Sequence, residues 1–148
     1  TYVKSNNKTG VYFLSIEGGK MLSCKIARGI SELPYRFSKI KRANQKYQSE
    51  NSYFNDRLDI QFTIGNKITK KTKLINWLTE RYALFQDTDK SINEFEIHHL
   101  EWPINEINLS KLELNYPRFK KLISEQPSKI HYSKGVKVLA WEKIKNDR

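Results

Sequence analysis

The chain has 148 residues, the length of one compact domain, and its 38% hydrophobic content with 3 Trp, 8 Tyr and 7 Phe supplies enough apolar area to exclude a disordered chain. The lone Cys24 excludes an internal disulfide framework, and no apolar run approaches the ~18 residues that a membrane-spanning helix needs, so a soluble cytoplasmic protein is the expectation. Lys and Arg number 27 against 16 Asp and Glu, a net charge of +11, but the basic residues are scattered from Lys20 to Lys145. That pattern reads as a solvated surface and predicts weak, sequence-independent contact with nucleic acids rather than a specific site.

In chain order, Thr1, Tyr2 and Val3 read as a strand already under way, which predicts residues upstream of them; a turn follows over residues 5–10. Residues 11–16 place Val11, Phe13 and Ser15 on one side and Tyr12, Leu14 and Ile16 on the other, a strand covered on both faces and stopped by Gly18 and Gly19. Residues 20–30 change to helical spacing, with Met21, Leu22, Ile26 and Ile30 facing inward and Lys20, Lys25 and Arg28 facing water. Leu33 before Pro34 takes an extended conformation and leads into a strand over 35–41. Residues 57–64 alternate without a fault: Leu58, Ile60, Phe62 and Ile64 form the buried side and Arg57, Asp59, Gln61 and Thr63 the wet one.

Beyond a charged loop at 67–71, Thr72 caps a helix over 73–80 with Leu74, Ile75, Trp77 and Leu78 as its apolar stripe. Strands at 82–86 and 92–99 form a hairpin about a turn at 87–90. A strand over 107–114, for which a short helix is the alternative, a helix over 117–124 bounded by Pro117 and Pro127, and a closing strand over 135–142 with apolar residues on both faces complete the pattern. The short alternating strands predict a mainly β domain.

Two adjacent polar pairs stand out. His98 and His99 point to opposite faces of a strand, and Cys24 offers no ligand pair, so structural histidines near Trp102 are favoured over a metal and no cofactor is expected. Glu80 and Arg81 sit at a helix-to-strand junction between Trp77 and Tyr82, where they either line an aromatic-roofed pocket or serve as an ion pair and a helix-end cap. No nucleophile elbow, phosphate loop or RNA-recognition signature is present, and the amphipathic 116–123 segment is assigned to packing rather than to a membrane.

Gly10-Val11-Tyr12-Phe13-Leu14-Ser15-Ile16, Leu33-Pro34-Tyr35, Trp77-Leu78-Thr79-Glu80-Arg81-Tyr82, Glu96-Ile97-His98-His99 with Trp102-Pro103, and His131-Tyr132 occur in an order that resembles the uncharacterised YqjF-like family, which is related in fold to acetoacetate decarboxylase. The resemblance implies one YqjF-like domain over residues 1–148, lacking an N-terminal portion that full members carry, built as an antiparallel barrel-like sheet with helices at its openings. In the decarboxylase relatives a lysine, kept neutral by a neighbouring lysine, forms a Schiff base with a β-keto acid. The corresponding positions after Glu32-Leu33-Pro34 hold Tyr35 and Arg36, which form no imine, and Lys39 and Lys41 lie three and five residues beyond Arg36, ~10 Å or more further along a strand.

The function expected from the sequence is therefore binding of a small organic molecule within a decarboxylase-like barrel. Tyr35, Arg36, Glu80, Arg81, His98, His99 and Trp102 are the candidate pocket residues. A lyase or hydrolase acting on a small organic acid, and non-specific nucleic-acid binding by the basic surface, are the alternatives. Self-association is left open.

Overall fold

The structure, a computed structural model, describes residues 1–5, 7–89, 91–123 and 126–147, the last of these by its backbone only. Asn6 and Lys90, which fall in two of the expected turns, and Ser124, at the end of the expected 117–124 helix, lie outside the described residues. In chain order the elements are β1 (Tyr2–Ser5), β2 (Lys8–Tyr12), β3 (Ile16–Gly18), α1 (Met21–Ser31), β4 (Tyr35–Phe37), β5 (Lys39–Ala43), β6 (Lys46–Asn51), β7 (Asp56–Lys67), α2 (Lys73–Thr79), β8 (Ala83–Asp87), β9 (Ser91–His99), β10 (Asn105–Asn115), β11 (Val138–Ala140) and β12 (Ile144–Asp147). None of the helices described is long and apolar enough to cross a membrane.

The mainly β expectation holds, but among the described residues no sheet closes into a barrel. One sheet runs β1-β2-β8-β9 and ends with β11 and β12 both against β9; a second runs β10-β7-β6-β5; β3 and β4 form a parallel pair. The predicted hairpin is β8 against β9, with Leu84 opposite Phe95. β2 joins β8 in parallel through Val11 opposite Leu84 and Tyr12 opposite Phe85. That close approach explains Gly10, where a Cβ would strike the Ala83 carbonyl oxygen and lie 2.7 Å from the Phe85 ring.

In the second sheet, β10 pairs antiparallel with β7, and its apolar residues change parity, from Ile107 and Leu109 to Leu112 and Leu114. A register irregularity between Leu109 and Lys111 absorbs one residue, so all four line one cleft with Ile60 and Phe62 of β7. Strand β6, which the sequence reading did not assign, bridges β5 and β7. Its polar residues Gln48, Ser49 and Glu50 mask the pattern that marks a strand.

Four further expectations are corrected. The 11–16 strand is two strands: β2 stops at Tyr12 and β3 starts at Ile16, because the chain leaves β8 to pair with β4. The apolar stripe of α1 faces outward, with Leu22 70% and Ile30 73% exposed, while Cys24 is buried. The reason is steric: a Cβ on Gly18 would lie 2.5 Å from Cys24 Sγ, so the helix packs on β3 through its small side chains. The 117–124 helix is a single 3-10 turn over Pro117–Phe119. The 135–142 strand shrinks to β11, an edge strand on which Val138 and Leu139 are exposed.

The central apolar cluster is small: Leu33, Leu84 and Phe95, packed by Phe13, Ile16 and Tyr35. Polar residues fill much of the remaining interior, among them Ser38, Ser49, Asp56, Asp59, Asn93 and His99. They are linked across elements. Asn51 donates to the Phe37 carbonyl at 3.1 Å, and Asn93 donates to Glu32 at 2.8 Å. Glu32 ends α1 in the left-handed region at φ 60°, with its amide donating to the Arg28 carbonyl. A non-glycine residue there is unfavourable, and the Glu32 carboxylate offsets this by accepting from Asn93 and Lys143.

Candidate functional site

Five of the seven residues singled out from the sequence gather around the end of α2. Thr72 accepts a hydrogen bond from the Ile75 amide at 3.2 Å, as a helix N-cap should, and α2 ends at Glu80. The buried Lys71 ammonium lies 2.7 Å from Glu80 Oε1 and 3.1 Å from Glu101. Glu80 also accepts from the Thr79 hydroxyl at 2.9 Å and from the Trp102 amide at 3.3 Å. Burial pushes its carboxyl up, but the hydrogen bonds from Lys71, Thr79 and Trp102 outweigh this and hold it below the ordinary carboxylate value. On Lys71 burial pulls the other way, and Glu80 and Glu101 keep the ammonium above its ordinary value.

His99 is clamped, its Nδ1 2.8 Å from the Leu100 carbonyl oxygen and its Nε2 3.1 Å from that of Arg81. Its ring stacks on Tyr82 at 4.9 Å and meets Trp102 edge-on at 6.0 Å. His98, one residue earlier, is exposed on the other face, as strand geometry requires. Arg81 is not a helix-end cap for carboxylates. Its guanidinium lies 4.3 Å over the Trp77 ring and donates to the Thr9 hydroxyl at 3.2 Å, with Nε and Nη2 buried and unpartnered. Glu80, Arg81 and His98 do share a cleft of about 480 Å³ with Lys8, Glu96 and Trp141.

Tyr35 and Arg36 are elsewhere. They line a cleft of about 550 Å³ beside α1 with Lys25, Arg28, Phe37 and Tyr53. The Arg36 guanidinium lies 4.3 Å from the Phe54 ring centre, and Arg118 lies 3.7 Å from the same centre. Arg118 is anchored by an ion pair to buried Asp56. Burial, followed by repulsion from Arg118 and Arg28, lowers the Arg36 guanidinium from its ordinary value. The one lysine lining this cleft, Lys25, is exposed.

A site that sequence reasoning missed lies between the two larger sheets. A cleft of about 490 Å³ is walled by Val11 and Tyr12 of β2, the 13–15 link, Tyr47 and Ser49 of β6, Leu58 of β7, and Tyr116, Phe119, Leu122 and Ile123. Its lining is mostly apolar, and Ser15 and Glu17 contribute from the strand edge at β3. Glu17 Oε2 accepts from the Ser49 hydroxyl, whereas its Oε1 and the Ser15 hydroxyl are buried without a hydrogen-bond partner among the described residues. Such atoms need a donor or acceptor from somewhere, since an unpaired buried polar group costs about 1–3 kcal/mol. Tyr116, on the opposite wall, is pushed up to about 12 by burial and then by the carboxylates of Glu17 and Asp56, with Arg118 opposing.

The sequence signal available for this site is the placement of two polar residues, Ser15 and Glu17, just after the apolar run Val11, Tyr12, Phe13 and Leu14. Among the described residues, no group of three or more His, Cys, Asp or Glu side chains is placed to hold a metal ion.

Residues 1–137 match the model of a family described as "Uncharacterized conserved protein", DUF2071. The chain is 27% identical over 156 aligned positions to "Uncharacterized protein YqjF" of Bacillus subtilis (strain 168). The match takes in 95% of this chain and 62% of the relative, so the chain spans less than two thirds of that protein's length. No solved structure matches significantly. The chain belongs to this uncharacterised, YqjF-like family.

Proposed function

We propose that this member of the family is a binding module for a small organic molecule, held in the cleft between the two larger sheets. The observation that carries the reading is the pairing of an apolar wall with two unpartnered polar atoms, Ser15 Oγ and Glu17 Oε1, in one cleft of about 490 Å³. Small-molecule sites have this composition: mostly apolar surface for affinity, and a few convergent polar groups for orientation. The order of the sequence motifs and the mainly β architecture support kinship with the decarboxylase fold. Imine chemistry on a lysine is not part of the reading, because Tyr35 and Arg36 stand where the decarboxylases place their lysines and line a different cleft.

Binding of the neutral, polarity-sensitive dye prodan tests the proposal. The expected result is a blue-shifted, enhanced emission that Leu122→Glu and Phe119→Ser both weaken, since each puts polarity into the cleft wall. Equal emission from wild type and both variants would sink the reading.

A second reading rests on the cleft beside α1, where Lys25, Arg28 and Arg36 accompany Phe37 and the strongly exposed Tyr53, with no carboxylate in the lining. Basic groups beside an exposed ring suit sequence-independent association with single-stranded nucleic acid. Fluorescence anisotropy with labelled oligo-dT at rising salt checks it: the affinity falls steeply with salt and falls again in Tyr53→Ala. Salt-independent binding, or none in 50 mM salt, would remove this second reading.

A further inference from the structure

We infer that the ligand of the inter-sheet cleft is an organic cation, an ammonium group carried on an apolar body. This deepens the reading of the cleft as a small-molecule site and depends on it. The charge inventory of the lining points one way: among the described residues Glu17 is its only carboxylate, and no lysine, arginine or histidine side chain lines it. The amino group of Thr1, at the rim, is tied to the Tyr12 carbonyl oxygen at 2.7 Å. Three guanidiniums lie over lining rings, Arg118 over Phe119 at 4.8 Å, Arg42 over Tyr47 at 5.5 Å and Arg81 over Tyr2 at 5.7 Å; none of the three belongs to the lining itself, and Arg118 is paired with Asp56.

The second observation is aromatic. Tyr2, Tyr12, Phe13, Tyr47, Tyr116 and Phe119 all contribute to the lining. Ring faces carry negative potential and attract a cation most strongly where water is excluded, which is how alkylammonium groups are recognised in aromatic cages. One carboxylate beside Phe13 and Tyr116, lining rings over which no guanidinium lies among the described residues, is that chemistry. The third observation is the direction of the field inside: at the Tyr116 phenol the carboxylates of Glu17 and Asp56 favour the proton more than Arg118 opposes it. A ligand carboxylate entering here would meet Glu17 at low dielectric and be repelled. A hydroxyl would satisfy Oε1 without the Coulombic gain. An ammonium N–H satisfies Oε1 and gains the charge interaction and the ring faces together.

Three probes with one phenylethyl body separate these cases: phenethylamine, 2-phenylethanol and 3-phenylpropionate, each titrated at neutral pH by displacement of prodan from the full chain. The expected order is amine, then alcohol, with the amine roughly tenfold tighter, and no displacement by the carboxylate. Glu17→Gln, which keeps the hydrogen bond from Ser49 within reach, brings amine and alcohol level. Tyr47→Leu removes one ring and weakens the amine several-fold more than the alcohol. Prodan binding in the cleft with amine and alcohol equal in wild type, or with the carboxylate preferred, would overturn the cation while leaving the binding reading intact. So would an amine preference untouched in both variants. A failure of prodan and of all three probes to bind would remove both.

Discussion

The end of α2 and the inter-sheet cleft both set carboxylates among aromatic rings, and they differ in whether those carboxylates are satisfied. Glu80 accepts from Lys71, Thr79 and Trp102, so its carboxylate is satisfied, although Arg81 beside it keeps Nε and Nη2 without a partner among the described residues. Among the described residues Glu17 accepts from Ser49 alone and keeps Oε1 without a partner, next to an equally unpartnered Ser15 hydroxyl and open apolar volume. A satisfied polar network fixes a fold, because every hydrogen bond is already used and breaking one leaves a buried charge behind. A half-satisfied one is a place where a ligand can supply the missing bond. Both regions contain the residue types that suggest a site, and what separates their carboxylates is the hydrogen-bond accounting at Glu80 and Glu17.

The comparison is broken most sharply at Lys71. Lys71→Met leaves Glu80 buried and without its ammonium, and the expected loss is about 3 kcal/mol in urea unfolding, whereas Lys71→Met combined with Glu80→Leu recovers most of it. A double variant as unstable as the single would show that the pair is not the source of the loss. The pair also has a pH signature. Glu80 titrates below its ordinary value when folded, so its contribution is complete above the ordinary carboxylate range and is lost as pH falls through the lowered folded value. Lys71 titrates above its ordinary value, so its contribution is complete below the ordinary lysine range and is lost as pH rises through the raised one. The melting temperature of wild type relative to the double variant is therefore expected to hold a plateau through neutral pH and to fall at both ends.

Next in size is Gly10→Ala, at the junction that carries one wall of the cleft. The new methyl group meets the Ala83 carbonyl oxygen and the Phe85 ring, and β2 has to move away from β8, at a cost of about 2 kcal/mol. Prodan emission should drop with it, since Val11 and Tyr12 belong to both the β2–β8 pairing and the cleft. Thr72→Ala removes the α2 cap and costs about 1 kcal/mol. It is expected to leave the dye signal unchanged, because α2 contributes nothing to the cleft lining. The smallest stability effect belongs to Glu17→Gln, within about 0.5 kcal/mol of wild type or on the stable side of it, because an amide meets burial more cheaply than a carboxylate. A loss as large as that of Lys71→Met would place Glu17 in the structural class and abolish the contrast.

Some of this was legible without coordinates. The 57–64 alternation marks β7 as a strand but not its faces, since Asp59 of the expected wet side is buried and Ile64 of the expected buried side is exposed; the Thr72 cap marks the start of α2, and the strand runs at 82–86 and 92–99 mark the β8–β9 hairpin, because each of these signals depends only on neighbours along the chain. The parity of His98 and His99 correctly separates them, one exposed and one buried. The partners of Glu80 and Arg81, namely Lys71, Thr9 and Trp77, could not be read from adjacency, since Lys71 reaches Glu80 across the length of α2 and Thr9 comes from a distant strand. Tyr35 and Arg36 were placed with them by resemblance and lie in another cleft.

What the sequence by itself determined is the local grammar: which stretches are extended, where helices begin, which side chains share a face, and that the chain belongs with its YqjF-like relatives. What only the tertiary structure decided is which face meets what. The apolar stripe of α1 turns outward because Gly18 and Cys24 make the closer fit. The parity change in β10 is absorbed by a register irregularity, so that Leu112 and Leu114 rejoin the face of Ile107 and Leu109. Glu17 is left short of a partner because β3 pairs with β4 while the two larger sheets flank the cleft it lines. Periodicity is a property of one strand, whereas packing and hydrogen-bond satisfaction belong to pairs of elements far apart in the chain, and no local pattern encodes which pairs will meet.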